Sequence, residues 1–415
     1  MTRSTWRLLC GALLAAGALG AGRAAVAQTP LALENLGEPI ANEDARMDGR
    51  GGWGLAESDT LVPAFKNLAG LPGLERIAVM LWGFGERTHS RGDADARTTY
   101  RVMTPNLRAA IPLRGGRLVF TAGMRSQRAT QYESSLPQTW PIPGLPDSLQ
   151  PSGSRLFQRE GTQYDFPLGA AWAVTPRLSA ALSVNLARGM IKETTSALVT
   201  EPVDASSNRL YRSPVMTRED RINGTSVTFG LRARPLDALA LGATFTPAYD
   251  WGIDRTLELA GVGQKADSSF TWHYPRSWGV GAACRVAPRW RVGVDYEASQ
   301  LSKFGGAPPD WQPQMTDERA ISFGAERDEG RVRRGGWDNL PLRFGATVRR
   351  WGYLVGGQPI DETRLTAGTG FPFRAQGGHL DVAVSYGWIG DLAKNGYADR
   401  VWRLSISAVG LEKWW

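Results

Sequence analysis

The stretch Trp290-Arg-Val-Gly-Val-Asp-Tyr-Glu-Ala298 alternates between two kinds of side chain. One set comprises Trp290, Val292, Val294 and Tyr296, and the other Arg291, Gly293, Asp295 and Glu297. Such strict alternation indicates a β-strand, because successive side chains of a strand point to opposite faces. The stretch therefore predicts a sheet that is apolar on one side only.

The same period of two recurs along most of the chain. Fourteen candidate strands lie near residues 76–88, 98–113, 117–131, 161–175, 178–196, 223–234, 239–256, 269–286, 290–304, 318–328, 339–355, 362–373, 379–390 and 400–411. A pattern of this kind, with turn residues between the segments, predicts an all-β fold.

The connections between these segments are of two kinds. Short turns are predicted at 114–117, 175–177, 235–237 and 287–289, and long polar or proline-rich stretches at 132–160, 197–222 and 305–317. Short turns at one end and long loops at the other are typical of a transmembrane antiparallel β-barrel of the bacterial outer membrane. A propeller would repeat a motif about every 40 residues, and the sequence contains no such repeat.

The composition excludes several other classes of protein. Beyond the first thirty of the 415 residues, no apolar run approaches the roughly 20 residues that a membrane-spanning helix needs. The net charge is +8 and the basic residues are scattered, which argues against nucleic acid as a partner.

The N-terminus has the pattern of a secretory signal peptide over residues 1–27. Arg3 and Arg7 precede an apolar stretch that begins at Leu8, and Ala25-Val26-Ala27 resembles a cleavage site. Cleavage there would leave Cys284 as the only cysteine, so the exported protein would not depend on an internal disulfide.

A closed barrel explains how the polar faces are arranged. In lipid the apolar face points outward, so Leu404 and Ile406 of the last segment are expected to face lipid. The opposite face is expected to line the lumen with charges and glycines, namely Arg232, Arg234, Arg285, Asp295, Glu297, Glu326, Arg343, Arg349, Asp381 and Arg403, with Gly169, Gly230, Gly242, Gly281, Gly293, Gly324 and Gly345. Tryptophans near segment ends, such as Trp351 and Trp402, are expected in an interfacial belt.

Motifs of catalysis and cofactor binding are weak. Gly49-x-Gly51-x-x-Gly54 spells a dinucleotide fingerprint but follows polar residues instead of a strand. His89, His273 and His379 lie far apart, without the spacing of metal ligands. We therefore predict no enzyme activity, no cofactor and no metal. A serine and a histidine brought together from separate strands remain an alternative.

The stretch Arg50–Leu71 begins with a glycine-rich turn and ends in Asn67-Leu-Ala-Gly-Leu71. It resembles the N-terminal hatch of FadL/TodX-type outer-membrane transporters, although Leu68 stands where that family has proline. The repeated glycine-centred strands, the stretch Asp381–Gly390 and the terminal Glu412-Lys-Trp-Trp415 are also similar to that family. The resemblance covers most of the chain after the signal peptide.

This resemblance implies a barrel of about fourteen strands that is plugged by its own N-terminus and passes hydrophobic molecules such as long-chain fatty acids or hydrocarbons. The implied domains are a signal peptide (1–27), a plug or hatch (28–75) and an outer-membrane barrel (76–415). The expected hatch residues are Gly51, Gly52, Asn67, Ala69 and Gly70.

In that family the solute leaves sideways through a kink in the third strand. Gly123 and Ser126 are the candidates for such a lateral opening, because glycine weakens strand pairing and often accompanies a bulge. Arg125 is expected to meet a solute carboxylate, and Trp140 and Phe157 of the apolar loop 132–160 to capture the solute. The inward charges also allow a second interpretation, in which they pair with one another.

The expected partners are outer-membrane lipid, a hydrophobic small-molecule ligand and the barrel assembly machinery, without nucleic acid. The alternative function is a non-transporting barrel of the same superfamily that serves as a secretion partner or a structural protein of the bacterial outer membrane.

Overall fold

The computed structural model describes residues 30–32, 36–40, 44–58, 62–63, 66–92, 96–103, 106–139, 152–201, 215–260, 263–306, 308, 313–328, 340–373 and 377–412. The predicted signal peptide lies outside these residues. Among the described residues, no helix is long and apolar enough to cross a membrane.

The fold is built almost entirely of β-strands. The strands are β1 (Glu38–Pro39), β2 (Ile77–Gly92), β3 (Ala96–Val102), β4 (Asn106–Leu113), β5 (Leu118–Thr139), β6 (Ser152–Thr175), β7 (Leu178–Glu201), β8 (Val215–Leu236), β9 (Leu239–Thr246), β10 (Tyr249–Ala260), β11 (Gln264–Tyr274), β12 (Ser277–Ala287), β13 (Trp290–Ser299), β14 (Glu318–Arg327), β15 (Leu342–Val355), β16 (Gln358–Pro372), β17 (Gly378–Ile389) and β18 (Tyr397–Glu412). The helices are α1 (Ala45–Gly49), α2 (Leu392–Asn395) and 3-10 turns at Pro30–Ala32, Leu68–Gly70 and Leu301–Lys303.

Strands β2 to β18 form the wall of a closed antiparallel barrel. Each of the pairs β3/β4, β9/β10 and β11/β12 forms one interrupted wall strand, which gives fourteen wall strands in all. The ladder between β18 and β2 closes the barrel, from Tyr397 opposite Gly92 to Glu412 opposite Ile77. The predicted fourteen-stranded barrel is confirmed, and each predicted segment corresponds to one wall strand.

Prolines mark the three interruptions. Pro105 stands in the sequence between β3 and β4, Pro247 between β9 and β10, and Pro275 between β11 and β12. Proline has no N–H group to donate to a ladder. The wall strands therefore change direction or partner at these positions.

The two faces of the wall follow the alternation of the sequence. Leu404 and Ile406 are 40% and 38% exposed on the outside, whereas Ser405 between them is 1% exposed on the inside. The inward charges Asp295, Glu326, Arg343, Asp381 and Arg403 are all buried. The face assignment is thus confirmed for these residues.

Trp351 departs from the expected interfacial belt. It is fully buried, and its indole N–H donates to the Glu362 carboxylate over 2.9 Å. Trp402, which is 52% exposed, does lie on the outer face. The ladder between β15 and β16 shifts register between Arg350 and Leu354, and this irregularity breaks the alternation that the sequence prediction relied on.

The wall is much taller on one side than on the other. Strands β5 to β8 have 22 to 24 residues, whereas β13 and β14 have 10 each. About 9–11 residues are enough to span a bilayer. Strands β5 to β8 are therefore about twice as long as a bilayer-spanning strand needs to be, and the excess lies at the long-loop end.

The bounds of the strands show that two predictions about the connections were wrong. The predicted loop 132–160 is wrong at both ends, because 132–139 belong to β5 and 152–160 to β6. The alternation of short and long connections is also imperfect. The tight turn Gly356-Gly357 lies at the long-loop end, and the strand ends Arg327 and Leu342, between which residues 328–341 stand in the sequence, lie at the short-turn end.

The described residues between 30 and 74, called here the N-terminal segment, lie against the inner face of the wall. Gly51 and Gly52 have φ values of +80° and +84°, a left-handed conformation that favours glycine. A Cβ atom at Gly293 would meet the Trp53 ring, and one at Gly242 the Leu55 carbonyl. Wall glycines thus make room for this segment, whereas the division into signal peptide, plug and barrel domains stays a prediction.

Candidate functional site

The wall has a gap between the second and third wall strands. β4 pairs with β5 as far as Leu107 opposite Met124. Beyond that point β3 pairs with β2, and the described residues show no ladder between β3 and β5. One side-chain contact crosses the gap, from Arg97 Nη1 to the Glu133 carbonyl over 2.6 Å.

A bulge in β5 lies at the lower edge of this gap. The ladder between β5 and β6 shifts register between Ser126 and Arg128. The Ser126 N–H donates to Asn106 Oδ1 over 2.9 Å, so a side chain replaces the missing backbone partner. Gly123 lies below the bulge, in regular pairing opposite Arg108.

The N-terminal segment occupies the gap from inside. Strand β1 pairs with β5, with Glu38 opposite Ala129 and Pro39 opposite Arg128, and the Ile40 N–H donates to the Gln127 carbonyl over 2.8 Å. On the other side, Arg101 of β3 donates to the Glu38 carboxylate over 3.2 Å. Burial raises the pKa of Glu38 to about 7, Arg101 opposing this shift.

A cavity of about 260 Å³, called here the upper cavity, lies in the lumen next to this bulge. Its lining includes Gln127 and Arg128 of β5, Tyr249 and Tyr274 from the far wall, and Leu301. It therefore connects the edge of the gap with the middle of the barrel.

Aromatic side chains form one wall of the upper cavity. Tyr249 and Tyr274 line the cavity with their ring centroids 5.3 Å apart, and Trp251 packs behind Tyr274 at 4.2 Å. Tyr249 follows the interruption at Pro247, and Tyr274 precedes the one at Pro275. Packed aromatic rings supply a large apolar surface in a fixed geometry.

The charged residues that line the upper cavity are two arginines, Arg128 and Arg349, and two carboxylates, Glu297 and Glu318. Arg128 donates to Glu318 over 3.2 Å, and Arg349 Nε lies 3.9 Å from the same carboxylate. Two guanidinium groups thus share one carboxylate. The upper cavity thus combines aromatic rings with convergent polar groups, and such polar groups fix the orientation of a ligand in a small-molecule site.

A smaller cavity of about 140 Å³, the middle cavity, lies below it. Both cavities are lined by Thr244 and Thr246, and the middle one also by Arg125 and by Lys66 and Leu68 of the N-terminal segment. Arg125 faces inward as expected, but its guanidinium already donates to Asp165 over 3.0 Å. A solute carboxylate would have to compete with Asp165 for it.

The predicted hatch residues hold the N-terminal segment in shape. Asn67 Oδ1 accepts from the Ala69 N–H over 3.0 Å, while its amide donates to the carbonyls of Leu55 and Leu231. The Ala69 carbonyl accepts from Ser179 over 2.6 Å, and a side chain at Gly70 would collide with the Glu57 carbonyl. Their role in plugging the channel stays a prediction.

Buried ion pairs fix the same segment to the opposite wall. Glu326 accepts from Arg46 and Arg50 of the segment and from Arg343 of β15, over 2.8, 3.1 and 2.9 Å. Lys66 lies 3.0 Å from Asp295 and 2.7 Å from Glu297. Burial lowers the pKa of Lys66, but these two carboxylates outweigh it and raise the pKa overall.

The two predicted capture residues are not brought to these cavities. Phe157 lies in β6, where its ring packs on Tyr132 with centroids 6.3 Å apart, and it does not line the cavities described above. Trp140 lies outside the described residues. Their role as capture residues stays a prediction.

Sequence reasoning missed Asn106, Arg128, Glu318 and Arg349 as members of one site. Pro105 was the available signal for the gap, since a proline within a strand pattern indicates an edge or an interruption. The ion pair between Arg128 and Glu318 had no such signal, because those residues meet only when the barrel closes.

Together the closed wall, the inner N-terminal segment and the gap beside the third wall strand define a FadL/TodX-type barrel fold. Similar solved structures include a Pseudomonas aeruginosa FadL homologue (TM-score 0.61, 12% identity) and the Ralstonia pickettii toluene transporter TbuX (0.61, 16%), each covering 90% of this chain and 99% of the other. The Pseudomonas putida toluene transporter TodX is similar at a TM-score of 0.56 and 15% identity, covering 90% of this chain and 98% of its own. By sequence, no family model and no curated protein matches.

Proposed function

We propose that this protein is a channel of the bacterial outer membrane that takes up hydrophobic small molecules by facilitated diffusion. The observation that carries the proposal is the upper cavity, which is walled by aromatic rings and lies directly against the bulge at the wall gap. The fold shared with solved toluene transporters supports it.

The proposed route enters from the long-loop end and leaves sideways. Below the upper cavity, Lys66, Asn67 and Leu68 stand between the lumen and the short-turn end. Among the described residues, the contacts that close the gap are the short β1 pairing and two arginine contacts from β3, Arg101 to Glu38 and Arg97 to the Glu133 carbonyl. Release of β1 from β5 therefore disrupts fewer contacts than removal of the whole N-terminal segment.

The charges of the upper cavity bear on the solute class. Arg128 and Arg349 share Glu318, while Glu297 pairs with Lys66, and arginine binds carboxylates through paired N–H donors. Long-chain fatty acids fit this combination of aromatic rings and arginines. Hydrocarbons would use the apolar wall alone.

A reversible crosslink tests the lateral route. Glu38 and Ala129 face each other across the β1–β5 ladder, so Glu38→Cys with Ala129→Cys, in a Cys284→Ser background, places two thiols within disulfide reach. We expect the oxidised protein to bind oleate but to stop its uptake into cells or vesicles, and reduction to restore uptake. The Glu38→Cys single variant is the control.

Equal uptake by the oxidised and reduced double variant would overturn the lateral route.

Binding is measured separately by tryptophan fluorescence with oleate and with hexadecane. Arg349→Gln should weaken binding of oleate and leave hexadecane unchanged. If neither ligand binds the parent protein and it co-purifies with a stable protein partner, the secretion-partner function replaces the transport proposal.

A further inference from the structure

A third cavity, called here the vestibule, opens at the short-turn end of the barrel. Its volume is about 360 Å³, and it lies between the N-terminal segment and the lower ends of β8, β9, β12 and β13. The lining includes Pro72, Arg232, Arg234, Ala240, Ala283 and Arg285. It lies at the opposite end of the lumen from the upper cavity.

The vestibule contains more guanidinium groups than carboxylates to pair with them. Arg291 is matched, since it pairs with Glu57 and with Asp328. Arg232 donates to a neutral acceptor, the Ala56 carbonyl, over 2.8 Å. The side chains of Arg234 and Arg285 make no hydrogen bond or ion pair with the residues that the structure describes.

Asp237 also lines the vestibule, but its carboxylate is directed to another arginine. Its carboxylate lies 3.8 Å from Arg177 on the outer rim, and both side chains are mostly exposed. Three guanidinium groups thus face one small cavity, and no carboxylate of the described chain lies within 4 Å of any of them. Like charges in a walled cleft concentrate a positive potential there.

Small apolar residues, Pro72, Ala240 and Ala283, also line the vestibule beside these arginines. Guanidinium groups bind planar or tetrahedral oxyanions through paired donors. We propose that the vestibule binds the anionic head group, carboxylate or phosphate, of an amphipathic molecule whose apolar part contacts these walls. The proposal goes beyond the uptake proposal, because it concerns a different cavity with its own residues.

The test compares two double variants of the full-length barrel in a neutral detergent. Arg234→Gln with Arg285→Gln removes two vestibule charges. Arg177→Gln with Arg289→Gln removes the same charge from the same rim, where these arginines contact Asp237 and the Asp328 carbonyl. The probes are sodium decanoate and its uncharged counterpart decanol, measured by titration calorimetry.

We expect the vestibule variant to bind decanoate at least about tenfold more weakly than the rim variant, since a hydrogen bond to a charged group contributes about 1.5–3 kcal/mol. Decanol binding should be the same in both. Equal decanoate affinity in the two variants overturns the proposal. Arg349→Gln in the upper cavity is tested alongside, so that loss of that site alone is recognised as a failure of the uptake proposal.

Native mass spectrometry then distinguishes the two sources of the head group. Retention of phosphatidylglycerol over phosphatidylcholine, lost in the vestibule variant, identifies a lipid phosphate. Retention of decanoate without lipid preference identifies a carboxylated solute. If the parent and the vestibule variant retain the same amount of every probe, no anion site exists there.

Discussion

The N-terminal segment is held to the barrel wall at two places by opposite chemistry. On one side, which we call the charged anchor, Arg46 and Arg50 converge with wall arginines on the buried Glu326. On the other side, the apolar anchor, Leu68, Leu71 and Leu74 pack against small wall residues and Met80. The same segment thus forms ion pairs with the wall on one side of the lumen and packs against apolar side chains on the other.

The difference between the anchors affects how the segment can move. A buried ion pair is stable only in one geometry, and breaking it leaves uncompensated charge. The stabilisation from an apolar contact decreases gradually, in proportion to the apolar area that becomes exposed to water. The charged anchor therefore fixes the position of the segment. The apolar anchor, whose Leu68 lines the middle cavity, tolerates small displacements.

Loss of the charged anchor should have the largest effect. Glu326→Gln leaves Arg46, Arg50 and Arg343 without their shared carboxylate in a fully buried place. We expect a loss of about 3–5 kcal/mol in unfolding free energy, measured by denaturant titration in detergent. The exposed Glu258→Gln is the matched control and should have little effect; similar losses in the two variants would show that the charged anchor does not stabilise the fold.

A substitution on the outer face should cause the next largest loss of stability, without affecting either anchor. Leu404→Arg places a charge in the apolar band and should cost about 2–4 kcal/mol in lipid, measured by refolding into vesicles. Glu258→Arg, on the projecting upper part of β10, is the control. Equal refolding of the two variants would contradict the lipid-facing position of Leu404.

The neighbouring Ser405 is unsuitable as an inward-facing control for Leu404→Arg. Ser405 is 1% exposed and its hydroxyl hydrogen-bonds to Asp48 of α1. Arginine at this position would displace the helix that carries Arg46. The inner face of the wall is polar, but the space in front of Ser405 is already occupied by α1.

The apolar anchor should respond more weakly than the charged one. Leu68→Ala removes a 7% exposed side chain that packs against Gly169, and core truncations of this kind cost about 2–5 kcal/mol. We expect the lower end of that range, because the adjacent middle cavity lets neighbouring groups relax. Leu365→Ala on the outer face is the control, and a loss for Leu68→Ala as large as that for Glu326→Gln would remove the distinction between the anchors.

The sequence predicted the wall well because alternation reports directly on which face is buried. It placed one segment in each of the fourteen wall strands. It failed at the upper ends of β5 and β6, which continue to Thr139 and begin at Ser152. In these parts polar and apolar side chains such as Leu136, Leu156 and Phe157 follow one another without strict alternation, although the ladder continues.

The candidate site was less predictable. Ser126, one of the residues named from the sequence, does lie at the bulge, where the ladder between β5 and β6 shifts register. That irregularity is local to one ladder. The contact of Arg128 with Glu318 joins residues 190 positions apart, and it depends on the closure and register of the whole barrel. The pairing of Glu38 with β5 depends on where two separate anchors hold the N-terminal segment.

The smallest expected effect is a pH dependence of β1, which lies between the two anchors. Glu38 has an ordinary pKa of 4.5 when undocked and about 7 in place, because burial and Glu86 outweigh Arg101 and Arg403. Between these two pH values, Glu38 is therefore protonated in the docked segment and ionised in the undocked one. Docking should weaken as pH rises through this window, since an acid with a raised pKa destabilises the docked state when ionised.

Hydrogen exchange at residues 36–40 measures this effect, with rates corrected for the intrinsic dependence on pH. Protection should be greater at about pH 5.5 than at about pH 8, because the window ends near the raised pKa of Glu38. Glu38→Gln cannot ionise and should show the same protection at both values. If the parent and the variant change equally with pH, another group controls the closure of the gap, and the ion pairs of the charged anchor become the next to test.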